Sequence, residues 1–291
     1  MDWLTDGENW PNRNVSRFVN HAGTRWHLQQ MGEGPDVLLL HGTGATTHSY
    51  ADMLPLLAQH ARVTALDLPG HGFTTALGHS RPTREGVAEG IAGLLANEGI
   101  RPHIIVGHSA GAAVSVELAA TKLLEPRGLV VINGSFYPFP GPAQYLFPAM
   151  AKMLFLNPFV PSLFAARAQN PAAVRRLMNS TGSKLTESQM ALYEQAFRSR
   201  AHVEGTLQMM ANWDLVPVKQ RLASLEMPVL QVIGMQDGTV RPSGAKKTAA
   251  ILRHGEILEF EACGHLVHEE QPKKVAKSIR YFAEKIDGAT K

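Results

Sequence analysis

Cysteine is almost missing from this chain: its 291 residues include one, Cys263. A single thiol excludes an internal disulfide framework and a multi-cysteine metal site, and it fits a reducing compartment. Blocks of like charge are missing too. The net charge is only +3, and no run of Lys or Arg could track a phosphate backbone, so nucleic acid is not an expected partner. No stretch of about 18 uninterrupted apolar residues offers a membrane span. The opening residues Met1-Asp2-Trp3-Leu4-Thr5-Asp6-Gly7-Glu8 are polar and acidic, unlike a signal peptide. A cytoplasmic protein is expected. Neither G-x-x-x-x-G-K-[ST] nor a G-x-G-x-x-G following a first strand occurs, which removes the common phosphate cradles. The 13 His include no H-x-x-x-H pair with an acidic partner, so neither metal nor cofactor is expected.

What is present is the composition of a globular domain, 44% hydrophobic and 18% charged. Short runs rich in Val, Ile and Leu recur along it. Arg17 to Asn20 and Trp26 to Gln30 flank His21-Ala22-Gly23-Thr24 and read as a hairpin. Asp36 to Leu40, Arg62 to Leu66, Ile104 to Val106, Leu129 to Ile132, Val229 to Ile233 and Glu256 to Phe260 follow. Helical patterns such as Arg84 to Leu95 separate them. This alternation predicts an α/β fold, a mostly parallel sheet of eight strands with helices on both faces.

The rhythm breaks after Ile132, where about 95 residues pass before the next strand against about 25 to 40 elsewhere. We expect a core built from residues 1–133 and 214–291, with a helical cap inserted at 134–213. That insertion holds seven of the 11 Phe and six of the 11 Met. No acid occurs between Glu125 and Glu187, whereas Arg127, Lys152, Arg167, Arg175, Arg176 and Lys184 do. The Phe and Met could form the cap's own core. They could instead roof a large apolar substrate, with Phe136, Phe139, Phe155, Met209 and Trp213 lining it. Peripheral contact with an anionic membrane surface is a third reading.

Chemistry is concentrated at Gly107-His108-Ser109-Ala110-Gly111. A G-x-S-x-G between an apolar run and a helical one places Ser109 on a sharp strand-to-helix elbow, its hydroxyl exposed. A serine needs a base, and the base needs an orienting acid. Asp237 follows the strand ending at Ile233, and His265 follows the one ending at Phe260. The order Ser109, Asp237, His265 is that of elbow-type hydrolases, and loops at the carboxyl ends of neighbouring parallel strands can converge. Asp214 is the second candidate acid. His108, His71 and His268 are less well placed as bases, with His268 suited to pack beneath the His265 loop. Asp67-Leu68-Pro69-Gly70-His71-Gly72 reads as a structural loop. Cys263 lacks an elbow and is not expected to be a nucleophile. For the oxyanion, one donor is expected from the Ala110 amide and a second from the turn His41-Gly42-Thr43-Gly44. Thr43 is the first choice there, and Gly44 stays open.

These motifs, with Asp67-Leu68-Pro69-Gly70-His71-Gly72-Phe73 and Gly264-His265, resemble the α/β-hydrolase superfamily over nearly the whole chain. Further segments are similar to the magnesium-chelatase accessory family of bacteriochlorophyll biosynthesis. They are Asn9-Trp10-Pro11-Asn12-Arg13, Arg25-Trp26-His27, Thr46-Thr47-His48-Ser49, Leu156-Asn157-Pro158, Asn179-Ser180-Thr181-Gly182-Ser183, Met209-Met210-Ala211-Asn212-Trp213-Asp214 and His265-Leu266-Val267-His268-Glu269-Glu270. The resemblance implies a serine hydrolase acting near the magnesium-chelatase step, with a porphyrin as substrate and chelatase subunits as partners. A non-catalytic tetrapyrrole-binding accessory protein, and a cofactor-free perhydrolase or carbon–carbon hydrolase, are the alternatives it leaves.

Overall fold

A computed structural model describes residues 1–78, 82–137 and 159–288. Eight strands form one sheet: β1 Ser16–His21, β2 Thr24–Met31, β3 Asp36–Leu40, β4 Arg62–Leu66, β5 Ile104–His108, β6 Gly128–Ile132, β7 Val229–Gly234 and β8 Gly255–Phe260. Their order is β1-β2-β4-β3-β5-β6-β7-β8. The hairpin β1–β2 pairs antiparallel, β2 runs antiparallel to β4, and every later pairing is parallel. Ala22 (φ 48°) and Gly23 (φ 76°) make the hairpin turn, where two positive φ values match the strand twist.

Burial explains which runs become central strands. All five residues of β3, β5 and β6 are buried, as expected where helices cover both faces. Alternation then divides the side chains. Leu38, Leu40, Ile105, Leu129 and Val131 pack on one face with helices Arg84–Asn97 and Ala110–Ala120. Val37, Leu39, Ile104, Val106, Val130 and Ile132 pack on the other with helices Met53–Leu57 and Pro272–Gly288. Gly128 sits where a methyl group would meet the Phe282 ring at 2.8 Å, so the last helix lies directly on the sheet.

Between β6 and β7 the described residues form helices Phe159–Ala168, Pro171–Ser180, Glu187–Arg198, Arg200–Ala211 and Val218–Ala223. Thr186 and Gln189 close a reciprocal capping box on the third of these, satisfying two orphan donors at its start. Val174, Met178, Met190 and Tyr193 cluster with Ala45 and Leu266. Part of the Met content therefore packs these helices onto the loops of the sheet's carboxyl edge.

Candidate active site

Register carries the chemistry to one edge. His108 pairs with Ile132, Ile132 with Val232, and Gly234 with Phe260, so the residues after β5, β6, β7 and β8 emerge side by side. Ser109, directly after β5, has φ 51° and ψ −113°. A β-carbon on Gly107 would lie 2.5 Å from the Gly111 carbonyl, and one on Gly111 would lie 2.2 Å from the Leu40 carbonyl. Both glycines are thus required for the helix to start so close to the sheet. Ser109 is half-buried, held by its amide on the Ile132 carbonyl (3.0 Å).

Asp237 and His265 meet. His265 Nδ1 donates to Asp237 Oδ2 at 2.7 Å, both residues being buried. That bond leaves Nε2 as the basic nitrogen of the neutral ring. Asp237 Oδ1 accepts from the amides of Thr239 (2.7 Å) and Val240 (2.8 Å), which fixes the carboxylate plane. Among the described residues Ser109 Oγ makes no hydrogen bond.

The turn after β3 lies against the serine. A β-carbon on Gly42 would come within 3.0 Å of Ser109 Cβ. Among the described residues the amides of Thr43, Gly44 and Ala110 donate to no protein group. The helix Arg200–Ala211 reaches this turn through Thr43 Oγ1 on Met209 Sδ (3.8 Å) and His202 Nε2 on the Gly44 carbonyl (3.2 Å). Phe136 and Met209 are 3% and 1% exposed and belong to the core cluster that includes Ala110. Trp213 is half-buried at its margin. Phe139 and Phe155 lie outside the described residues.

Asn133 escaped the sequence reading. It follows β6 with φ 44°, and its Nδ2 donates to Asp237 Oδ2 and to the Gly264 carbonyl (3.3 Å). Its Oδ1 accepts from the Gly234 amide at 2.9 Å. One polar side chain thereby joins the starts of the acid and base loops. The available signal was its place: a lone Asn ending the apolar run Leu129-Val130-Val131-Ile132, on the edge shared with Ser109.

The other candidates have structural surroundings. His108 Nε2 donates to the His265 carbonyl at 3.0 Å. His268 is buried, with Nε2 2.8 Å from Ser49 Oγ and its ring 4.5 Å from that of His108. Burial holds His268 at about 3 and His108 well below the ordinary imidazole value, so both are neutral. Asp67 takes bonds from Thr47 N (2.7 Å), Phe73 N (2.9 Å) and His27 Nδ1 (2.8 Å), the loop-holding role expected of it. Asp214 is exposed and bonds the Val216 amide. Cys263 is buried, and burial pushes its thiol up. Among the described residues no cluster of His, Cys, Asp and Glu is placed to hold a metal, and no helix is long and apolar enough to cross a membrane.

A mostly parallel sheet in this strand order, carrying a serine elbow after β5 and an acid–imidazole pair after β7 and β8, defines a hydrolase class of fold. Residues 37–278 match the Alpha/beta hydrolase family, and the chain belongs to it. It is 33% identical over 263 residues to the magnesium-chelatase 30 kDa subunit of Rhodobacter capsulatus, covering 90% of this chain and 92% of that one. It is 28% identical over 271 residues to a pimeloyl-[acyl-carrier protein] methyl ester esterase of Vibrio vulnificus, covering 90% and 99%. A thermophilic esterase from Thermogutta terrifontis shares the fold, with a TM-score of 0.74 at 21% identity, covering 93% of this chain and 99% of that one.

Proposed function

We propose that the chain is a serine hydrolase cleaving an ester or related acyl bond on a large apolar substrate, a tetrapyrrole, near the magnesium-chelatase step. The observation that carries this is the buried 2.7 Å bond from His265 to Asp237 on the edge that also presents Ser109. Ser109 Oγ attacks the acyl carbon and gives its proton to His265 Nε2. The amides of Ala110 and Thr43 receive the oxyanion. The imidazolium then protonates the departing alkoxide, and water, deprotonated by the same nitrogen, releases the acid. Asp237 holds the tautomer and the positive charge throughout. The open hydrogen bond at Ser109 Oγ is compatible with this, since such contacts tighten when substrate binds.

The substrate class rests on the 33% identity to a chelatase subunit and on the composition of the inserted helices, which act as a lid. An acid-free stretch rich in Phe and Met complements a broad apolar disc bearing carboxylates. Exposed Leu163, Phe164 and Leu177 beside exposed Arg167 and Arg176 give that lid a face suited to an anionic membrane.

Intact-mass labelling with a fluorophosphonate, with and without a soluble porphyrin, tests both parts. One adduct on Ser109, slowed by porphyrin and absent in Ser109→Ala, is expected. An adduct indifferent to porphyrin would remove the tetrapyrrole. A second reading, a pigment-binding chelatase accessory without chemistry, is favoured by the same relative. It requires Ser109→Ala to support chelatase activity fully.

A further inference from the structure

We infer that residues 181–183, between helices Pro171–Ser180 and Glu187–Arg198, position the acid and the base of the triad, with the Thr181 carbonyl as their shared anchor. This rests on the hydrolase reading above. The Thr181 carbonyl accepts two amides at once, Gly238 N at 3.0 Å and His265 N at 3.1 Å. Gly238 is the residue after Asp237. One oxygen of the insertion therefore spans both loops of the pair.

The surrounding contacts leave little slack. Ser183 Oγ accepts from the Leu266 amide at 2.8 Å, the residue after the base. Glu270 Oε1 accepts from Gly264 N at 2.8 Å, while its Oε2 accepts from Lys184 N at 3.1 Å. The backbones themselves touch. A β-carbon on Gly182 (φ 78°) would lie 2.0 Å from the Gln236 carbonyl, one on Gly238 2.4 Å from the Ser180 carbonyl, and one on Gly264 2.2 Å from Gly182 C. Three glycines from three loops interlock, two of them adjoining Asp237 and His265 in the chain. Thr181 and Ser183 are 9% and 6% exposed, so water does not compete strongly for these acceptors.

The same segment is continuous with the inserted helices. Helix Pro171–Ser180 ends on it, and helix Glu187–Arg198 begins just after it. From helix Glu187–Arg198 Tyr193 Oη donates to Glu269 Oε1 at 2.6 Å, and Gln189 Nε2 to the Glu269 carbonyl at 3.0 Å. A shift of helix Pro171–Ser180 is therefore transmitted to His265 and Asp237 through the Thr181 carbonyl, while helix Glu187–Arg198 holds the same region through the Tyr193 and Gln189 side chains. Seating of a substrate under the helices and alignment of the triad become one event. Thr181, Gly182 and Ser183 are positioning residues, since none touches the reacting atoms.

Ser183→Ala is the test, with Ser183→Thr as the conservative variant and Gly182→Ala as the severe one. For Ser183→Ala, kcat on an activated ester is expected to fall about tenfold with KM within about twofold, the cost of a small misplacement. The acid limb of its kcat profile should move, and Ser183→Thr should restore both. The low-field His265 Nδ1 proton, assigned by its loss in Asp237→Asn, should shift or broaden in Ser183→Ala by NMR. An unchanged proton resonance in a folded Ser183→Ala protein overturns the inference. If wild type turns over no ester and takes no fluorophosphonate, the hydrolase reading fails, and the proton resonance still decides whether the segment positions the pair.

Discussion

Asn133 is the residue whose role is sharpest in space and faintest in sequence. Its amide reaches Asp237, Gly264 and Gly234 from a left-handed backbone position, a conformation Asn tolerates better than most residues. Asn133→Ala should lower kcat about tenfold at nearly constant KM, and should cost about 1–3 kcal/mol in denaturant unfolding, because buried partners lose their bonds. Asp237→Asn should cost far more, on the order of 10⁴-fold in kcat, since an amide favours the wrong imidazole tautomer. Ser109, Asp237 and His265 stand out in the sequence because each carries reactive chemistry at the end of an apolar run or in the turn that follows it. Asn133 carries none, so only the register of β6 against β7 reveals what it holds. The Thr43 and Gly44 alternative was equally out of reach, for both amides stand in the same turn.

At the scale of elements, the strands are legible as apolar runs, and the long stretch between β6 and β7 is legible from its spacing and its composition. Runs such as Val229 to Ile233 are buried on both faces, and continuous apolar character survives in sequence as a signal. The inserted helices give a different lesson. Their Met and aromatic residues divide between packing and the substrate-facing role proposed for them: Met178, Met190 and Tyr193 join the cluster with Leu266. Backbone and glycine contacts, which no hydrophobic pattern announces, add to that packing. A β-carbon on Gly205, in helix Arg200–Ala211, would lie 2.1 Å from the Gly70 carbonyl, and His202 Nδ1 accepts from the Gly72 amide at 3.0 Å. Gly205→Ala should push this helix off the loop and lower stability by about 1–3 kcal/mol. Accelerated proteolysis between residues 159 and 211, with the rest of the chain protected, would place the damage in these helices.

For the whole molecule, the buried histidines set the response to acid. Burial first, and then neighbouring imidazoles, hold His41 and His268 at about 3. Burial keeps His48 and His71 at about 4 and leaves His108 and His202 well below the ordinary 6.5. A base with a depressed folded pKa contributes stability above its unfolded value and loses it as pH falls through the folded one. Six such rings predict a steep fall in melting temperature from about pH 6.5 to about pH 4. Glu269 runs the other way. Burial raises its carboxyl to about 8 against the bonds from Ser49 and Tyr193, so its contribution is complete below the ordinary carboxylate range and declines up to about pH 8. Glu269→Gln should therefore remove the decline between the ordinary carboxylate range and about pH 8, leaving a steeper fall toward acid below about pH 6.5 where the histidines act alone, as calorimetry across pH would measure. The backbone of Ser109 carries a different burden. At φ 51° and ψ −113° the residue sits where only glycine rests easily, at a cost on the order of 1–3 kcal/mol. A glycine there would relax the turn. Ser109→Gly should melt above Ser109→Ala although both lack the hydroxyl, so on the proposed hydrolase reading position 109 trades durability for reactivity.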